Sequence, residues 1–228
     1  FLQPIQGLTN LESLNISHTY INDLVALQDM GSLRYLNIMN TPVSDLSPLT
    51  NDSNIEVIDA DSTVIGKSQV VALKESQRQV TVVYQTENLL YWWNTLAPIW
   101  QTIFRNAVGI QSEMPNALEL QRILDLREIE ITPDYPINSI DPLTHLMWLE
   151  RLTINNQSIS DLKPLENKPY LVELNVQNNP VSSLSAIENS ALLQLLNIEN
   201  TQIKDLSPLS KMNELVTLNA SGTTVKSL

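Results

Sequence analysis

The sequence predicts an α/β solenoid. Two short repeat arrays each carry a parallel sheet on a concave side and 3₁₀ or turn segments on a convex side, and a helical cap segment separates them. Three observations predict this. The apolar pattern of residues 33–49, LRYLNIMNTPVSDLSPL, recurs at one fixed shift in both directions, so that Leu36 falls on Leu14 and on Ile58. The same comb of apolar residues returns at Leu149 and runs to Leu228. Between the two, residues 86–125 drop the period and hold three of the four Trp residues, Trp92, Trp93 and Trp100.

Each row follows from residue spacing. In the parent row the apolar positions are Leu33, Leu36, Ile38, Val43, Leu46 and Leu49, with Thr41 among them. Shifted back by one period they fall on Leu11, Leu14, Ile16, Thr19, Ile21, Leu24 and Leu27. Shifted forward they fall on Ile55, Ile58, Ala60, Thr63, Ile65, Ser68 and Val71. Downstream rows start at Leu149, Leu171, Leu193 and Leu215, the last running through Leu218, Ala220, Thr223 and Val225 to Leu228. Apolar residues two apart have strand spacing, with the residues between them facing outward. About six apolar side chains per repeat point inward, and at roughly 1.5–3 kcal/mol each on full burial, stacking outweighs local propensity. The Asp-Leu-Ser-Pro-Leu tail suits a short capped turn. Asp45 and Asp205 are its capping residues, and Pro48, Pro164 and Pro208 set φ in its first turn.

The pattern Leu-x-x-Leu-x-Leu-x-x-Asn-x-Leu is the leucine-rich repeat signature. The 22-residue length and the Asp-x-x-Pro-Leu tail resemble the internalin-type repeats of bacterial surface proteins over about two thirds of the chain. The resemblance implies a curved solenoid that holds partner proteins on its strand face, and it implies no catalysis.

Composition narrows the partners. A net charge of −12 on 228 residues, with a pI near 4.5, argues against nucleic acid and against a direct contact with anionic membrane. No apolar run is long enough to span a bilayer, so no direct membrane insertion is expected. The absence of Cys removes disulfides and zinc–thiolate sites. It suits an exported bacterial protein and equally a cytosolic one, so the expected localisation, extracellular or cell surface, rests on the internalin resemblance. Leu2, Ile5 and Leu8 match Leu24, Leu27 and Met30, so the sequence opens inside a repeat, as it closes inside one. Either it is a piece of a longer protein or its ends are covered by a neighbouring molecule.

Taken in order, residues 1–85 form the first array. Its third row degrades after Ile65 into KSQVVALKESQ, a two-turn helix with Val70, Val71 and Leu73 as its apolar stripe and Ser68 as its cap. A fourth strand is expected at 79–83, with Val80 and Val82 placed one period after Ile58 and Ala60. Residues 86–125 predict three helices. The first spans about 87–94 and the second starts near Ala97 with Pro98 in its first turn. The third follows Pro115, with Asn116 as cap and Leu120, Ile123 and Leu124 on one face. Their aromatic residues make either a ligand pocket or, as the favoured expectation, a plug for the apolar end of a solenoid. The string Trp92-Trp93-Asn94, Trp100-Gln101, Phe104 resembles helical segments that precede leucine-rich arrays in surface proteins of gut Bacteroidetes, which implies a second unit starting here with its own lid. Residues 126–228 form the second array, opened by a row lengthened by one residue around Tyr135-Pro136.

Binding residues must come from the outward columns. The central column runs Asn15, Asn37, Asp59, Thr81, then Glu130, Thr153, Asn175, Asn197, Asn219. Its amides either serve a glycan or peptide, or bond one another as a stack about 4.8 Å apart. In the first array Tyr35, Met39 and Val57 form an exposed aromatic and apolar cluster, with Asn37, Asp59 and Asp61 beside it. In the second, Arg151 stands among Glu128, Glu130, Glu173 and Glu199, with Asn155 and Gln177 in the next column. The plain alternative for both is a solvated surface. The Thr column (Thr19, Thr41, Thr63, Thr201, Thr223) is expected to bond turn backbone.

Catalytic signatures are missing. His18 and His145 lie in different arrays, and there is no nucleophile elbow, phosphate loop or His-Glu-x-x-His. Asp59 and Asp61 are too few oxygens for a calcium cage, so no metal and no cofactor is predicted. The sequence therefore predicts a non-enzymatic scaffold with a protein ligand. A glycan-binding module and a structural spacer of a larger surface protein are the alternatives.

Overall fold

A computed structural model describes residues 1–51 and 54–226, so Leu228, the last tooth of the comb, lies outside the described residues. The chain divides into two compact units, residues 1–94 with 115–121, and residues 95–114 with 122–228.

In the first unit the comb becomes a four-stranded parallel sheet, β1 (Ser13–Asn15), β2 (Tyr35–Asn37), β3 (Val57–Asp59) and β4 (Thr81–Val83), in sequential order. Each strand is short, and the ladder continues beyond it. Ile16 N–H donates to Asn37 C=O at 2.9 Å and Ile38 N–H to Asp59 C=O at 2.8 Å. β1, β2 and β3 pair at the period of the comb, Leu14 with Leu36 and Leu36 with Ile58. The whole parent row is buried. Leu11, Leu14 and Ile16 in the first row are only half-buried, because no earlier strand lies over them.

The fourth strand departs from expectation. Val82, not Val80, pairs with Ile58, and Thr81 pairs with Val57. The register has slipped by two positions, because helix α1 (Lys67–Ser76) replaces a 3₁₀ turn and takes up more chain. A slip of two keeps every side chain on its own face, so Val82 still points inward. Gly66, with extended backbone, is the N-cap of α1, and the expected cap Ser68 is exposed inside the helix. Val70 and Leu73 are buried as predicted, while Val71 is half-buried. The remaining inward place goes to Lys74, 2% exposed, whose Nζ donates to Val80 C=O at 3.0 Å.

The second unit carries a five-stranded parallel sheet, β5 (Glu128–Ile131), β6 (Arg151–Ile154), β7 (Glu173–Asn175), β8 (Leu195–Asn197) and β9 (Thr217–Asn219). Ile129 pairs with Leu152, which shows the expected lengthening of the opening row by one residue. The later strands return to the period, Leu152 with Leu174, Leu174 with Leu196 and Leu196 with Leu218. Leu149, Leu152, Ile154, Leu171, Leu174 and Val176 are all at most 1% exposed. At the far side Leu218 is 38% exposed, because β9 has only β8 beside it.

The helical segment gives α2 (Thr86–Thr95), α3 (Pro98–Val108) and α4 (Ala117–Leu124). Pro98 opens α3 and Gly109, at φ 72°, closes it in the left-handed region that glycine adopts freely. Asn116 Oδ1 accepts the Glu119 N–H at 2.9 Å and Glu119 Oε2 accepts the Asn116 N–H at 2.8 Å, a reciprocal capping box on α4. Trp92 and Trp93 are buried in α2; Trp100 and Phe104 are buried in α3 with ring centroids 5.3 Å apart. These rings are therefore packing material rather than walls of an open pocket. The unit division runs through this segment, with residues 86–94 in the first unit and 95–114 in the second.

The turns show how each repeat satisfies its backbone. Thr41 Oγ1 donates to Ile38 C=O at 2.6 Å, and Thr19, Thr63, Thr201 and Thr223 make the same bond in their own rows. Where the position is an amide, it reaches back one repeat: Asn179 Nδ2 donates to Ile154 C=O at 2.8 Å and Gln157 Nε2 to Thr132 C=O at 3.0 Å. One residue earlier, His18, Asn40, Ser62, Asn156, Asn178 and Asn200 all have φ between 52° and 57°, and Gly222 has φ 69°. Asn tolerates this region better than most residues. The side chains of this column bond across repeats, Asn200 Nδ2 to Asn178 Oδ1 at 2.8 Å and Asn40 Nδ2 with His18 Nδ1 at 2.9 Å. A Cβ on Gly222 would collide with Asn200 Oδ1.

On the convex side Asp45 Oδ1 accepts the Ser47 N–H at 2.8 Å and Oδ2 accepts its hydroxyl at 2.7 Å, just ahead of the Ser47–Leu49 3₁₀ turn. Asp205 repeats this with Ser207 before Ser207–Lys211. These bonds favour the ionised form and hold both carboxyls below their ordinary value of 3.8.

Two outcomes follow. Leu174→Ala should cost about 2–5 kcal/mol in denaturant unfolding, and Leu218→Ala, at the open side, well under half of that; equal costs would contradict the stacked core. Because the Asp45 and Asp205 carboxyls are depressed, their contribution is fully present above pH 3.8 and fades as pH falls through their lower folded values. The double variant Asp45→Asn, Asp205→Asn should therefore lose stability at neutral pH and show a shallower slope on the acid side, read by melting temperature against pH.

Candidate strand-face binding site

The outward columns are set by the ladders. In the first unit Tyr35 and Val57 stand opposite each other on β2 and β3, and half-buried Met39 lies just beyond β2. Tyr35 is 48% exposed. Its hydroxyl donates to Glu56 Oε2 at 3.0 Å, and Arg34 Nη1 meets Glu56 Oε1 at 2.7 Å. The Arg34 hydrogen bond first, then the Tyr35 hydroxyl, hold the Glu56 carboxyl below its ordinary value. The ring is thus oriented by a network on its own rim, which lowers the ordering cost of using it as a contact.

The central column does not stack amide on amide as one alternative had it. Asn37 Oδ1 accepts the Met39 N–H at 2.9 Å, Asn175 Oδ1 the Gln177 N–H at 3.2 Å, and Asn197 Oδ1 the Glu199 N–H at 3.1 Å. Asp59 Oδ1 does the same for Asp61 at 3.1 Å. Each oxygen closes a turn two residues on, where the strand leaves its ladder. The donors go sideways to the next column of the preceding repeat: Asn197 Nδ2 to Gln177 Oε1 and Asn219 Nδ2 to Glu199 Oε2, both at 3.0 Å. An amide-to-amide contact within one column occurs instead in the left-handed column, between Asn200 and Asn178.

Asp61 is tied down as well. Its Oδ1 accepts the Thr86 N–H at 2.9 Å, an anion on the first turn of α2, where the helix dipole favours it. Asp59, Asp61, Gln177 and Glu199 are therefore already bonded within the fold. Asn155 is half-buried and its Oδ1 has no partner among the described residues.

In the second unit the structure sets a helix wall and Tyr135 against the charged group around Arg151 that the outward columns already placed together. A depression of about 480 Å³ opens over β5, β6 and β7. Glu128, Glu130, Arg151, Thr153 and Glu173 line its strand side, with Ile129 beneath. Ile103, Asn106 and Ala107 of α3 and Tyr135 of the first turn form the opposite wall. Asn106 Nδ2 donates to the Tyr135 hydroxyl at 2.8 Å. Arg151 pairs with both flanking carboxylates, Nε with Glu173 Oε1 at 3.1 Å and Nη1 with Glu128 Oε1. These contacts, Glu173 first, raise the guanidinium above its ordinary value. Arg151, Glu128 and Glu173 side chains are 47%, 63% and 43% exposed. The α3 wall had no sequence cue, since Asn106 and Ala107 meet the strands only through the tertiary fold.

His18 lies in the first unit and His145 in the second, where burial, then Lys168, lowers the imidazole pKa. Among the described residues no group of three or more His, Cys, Asp or Glu is placed to hold a metal, and no helix is long and apolar enough to cross a membrane.

The comb, the parallel ladders that follow its period and the buried inward teeth give this chain a leucine-rich repeat fold, an α/β solenoid of repeat arrays. Residues 9–51 match the family model described as Leucine Rich repeats (2 copies). The repeats are internalin-like in length and tail. Among solved structures, the chain is similar to an internalin (inlF) of Listeria monocytogenes at 21% identity and a TM-score of 0.40, covering 98% of this chain and 51% of that one. It is similar to internalin C2 of the same organism at 19% identity and 0.42, covering 92% and 80%, and to a leucine-rich repeat protein of Leptospira interrogans at 16% and 0.39, covering 98% and 64%. The chain thus spans about half the length of the first of these. A comparison with curated proteins gave no match.

One outcome tests the column bonding. Asn175→Ala removes a half-buried side chain whose single acceptor bond serves Gln177. It should cost about 0.5–1.5 kcal/mol, the ordinary net value of one such bond; a loss above ~3 kcal/mol in denaturant unfolding would show that the column carries the array.

Proposed function

We propose that this chain is a non-enzymatic scaffold that binds a partner protein through its strand faces, at a bacterial cell surface. The leucine-rich fold commonly mediates protein–protein interaction. The observation that carries the reading is the Tyr35–Val57 pair: an aromatic ring 48% exposed, opposite an apolar neighbour on the next strand and oriented by Glu56. Buried aromatic anchors with polar rims dominate the energetics of protein interfaces. A strand face whose register is fixed by backbone ladders presents such an anchor already ordered.

In this reading Tyr35, Met39 and Val57 are the apolar contacts of residues 1–85, with Asn37, Asp59 and Asp61 as their bonded frame. Arg151, Asn155, Glu173, Gln177 and Glu199 are the polar contacts of residues 126–228. Residues 86–125 supply cap helices, consistent with the burial of Trp92, Trp93, Trp100 and Phe104. The surface location is supported by the internalin-like repeat type.

The test is cross-linked capture from bacterial-surface and host-cell extracts by immobilised protein, with Tyr35→Ala and Val57→Asp as variants. A partner recovered by the wild type should fall by at least about tenfold with Val57→Asp, equivalent to ~1.4 kcal/mol or more. Equal capture by all three proteins would remove the strand face of the first unit as the contact. Binding on a glycan array that is lost with Tyr35→Ala would replace the protein ligand with a sugar.

A further inference from the structure

We propose that the depression over β5, β6 and β7 receives a lysine or arginine side chain from a basic segment of the partner protein. This rests on the protein-binding reading above and adds the chemistry of one subsite. Its volume, about 480 Å³, lies inside the range of roughly 300–1,000 Å³ typical of ligand pockets. Its walls differ in kind. Ile103, Ala107 and Ile129 are apolar, and Glu128, Glu130 and Glu173 are acidic. That division matches an amphipathic basic side chain, whose methylene stem lies along apolar surface while its head meets carboxylates.

The charge count gives the sign of the ligand. Three carboxylates line the depression against one guanidinium, so it carries a net −2 (−3 from Glu128, Glu130 and Glu173, +1 from Arg151). Arg151 already shows how a cation sits there, between Glu128 and Glu173. Both of its pairs are largely exposed, and exposed pairs are weakly held, so the two carboxylates remain able to share a second cation. The Glu130 side chain, exposed on the same face, makes no hydrogen bond or ion pair among the described residues. An acidic or neutral side chain would meet this surplus with nothing to offset it. The chain's net charge of −12 steers basic partners toward it in the same sense.

The experiment is methyl-detected NMR titration of the whole chain with a blocked Gly-Ser-Lys-Ser-Gly peptide and its Nε-acetyl-lysine counterpart. The lysine peptide should shift the Ile103 and Ile129 methyls in a saturable manner, and the acetylated peptide should not. Glu130→Gln should weaken binding by about fivefold, the size of one exposed ion pair. Arg151→Gln should strengthen it, because it releases Glu128 and Glu173; both changes lie at exposed positions and leave the core intact. Equal shifts from the acetylated peptide, unchanged affinity in Glu130→Gln, or loss of binding in Arg151→Gln would each overturn the proposal. So would displacement of the peptide by millimolar calcium at the same methyls, or saturation by spermine where the peptide fails to saturate. A captured partner that survives Glu130→Gln but is lost with Val57→Asp would retire this subsite and leave the protein-binding reading standing.

Discussion

No repeat in this protein closes its own core. The apolar edge of each row is covered only by the row beside it, and the same pairing satisfies the backbone through a parallel ladder. The gradient of burial shows this dependence. Inward residues of middle rows are at most a few per cent exposed, whereas Leu14 is half-buried and Leu218 is 38% exposed. Stability is therefore a nearest-neighbour property, as expected where contacts are made only with adjacent repeats.

The stack also decides what the polar residues do. A strand this short must turn away at once, and the turn leaves backbone donors and acceptors near the core. Thr41 and its equivalents satisfy a carbonyl in their own turn, while Gln157 and Asn179 satisfy one in the preceding repeat. The central Asn column closes the turn from the other side. Most of the periodic polar residues are thus part of the framework. What remains outside the framework is the non-periodic remainder: Tyr35, Val57, Met39, and the charged group around Arg151.

That remainder differs between the two units. The first offers an oriented aromatic ring beside apolar neighbours, the second an acidic depression walled by a helix. In both, rim charges order a neighbouring group. Arg34 and Tyr35 converge on Glu56, and Glu128 with Glu173 converge on Arg151. Exposed ion pairs of this kind add little to stability. Their consequence is geometric, since they restrict the rotamers of the side chains that a partner would meet.

The sequence by itself determined the period, the inward teeth, the Thr bonds of the turns and the Asn116 cap of α4, and it marked Asp45 and Asp205, which bond Ser47 and Ser207 from just outside the cap position held by Leu46 and Leu206. Each is a local or strictly repeated relation, and a repeat makes long-range pairing readable as a fixed shift. It also carried a column it did not announce: Asn40, Asn156, Asn178, Asn200 and Gly222 hold the left-handed position in their rows, so residue type taken together with the period pointed to it, although His18 and Ser62 fill the same place in two rows. Tertiary structure alone decided the rest. The slipped register of β4 depends on how α1 packs, since a slip of two leaves the alternation of apolar residues unchanged. The bond from Asp61 to Thr86 and the wall that α3 contributes opposite Arg151 join residues far apart in the chain and outside the repeat, where no periodicity reports which residues meet.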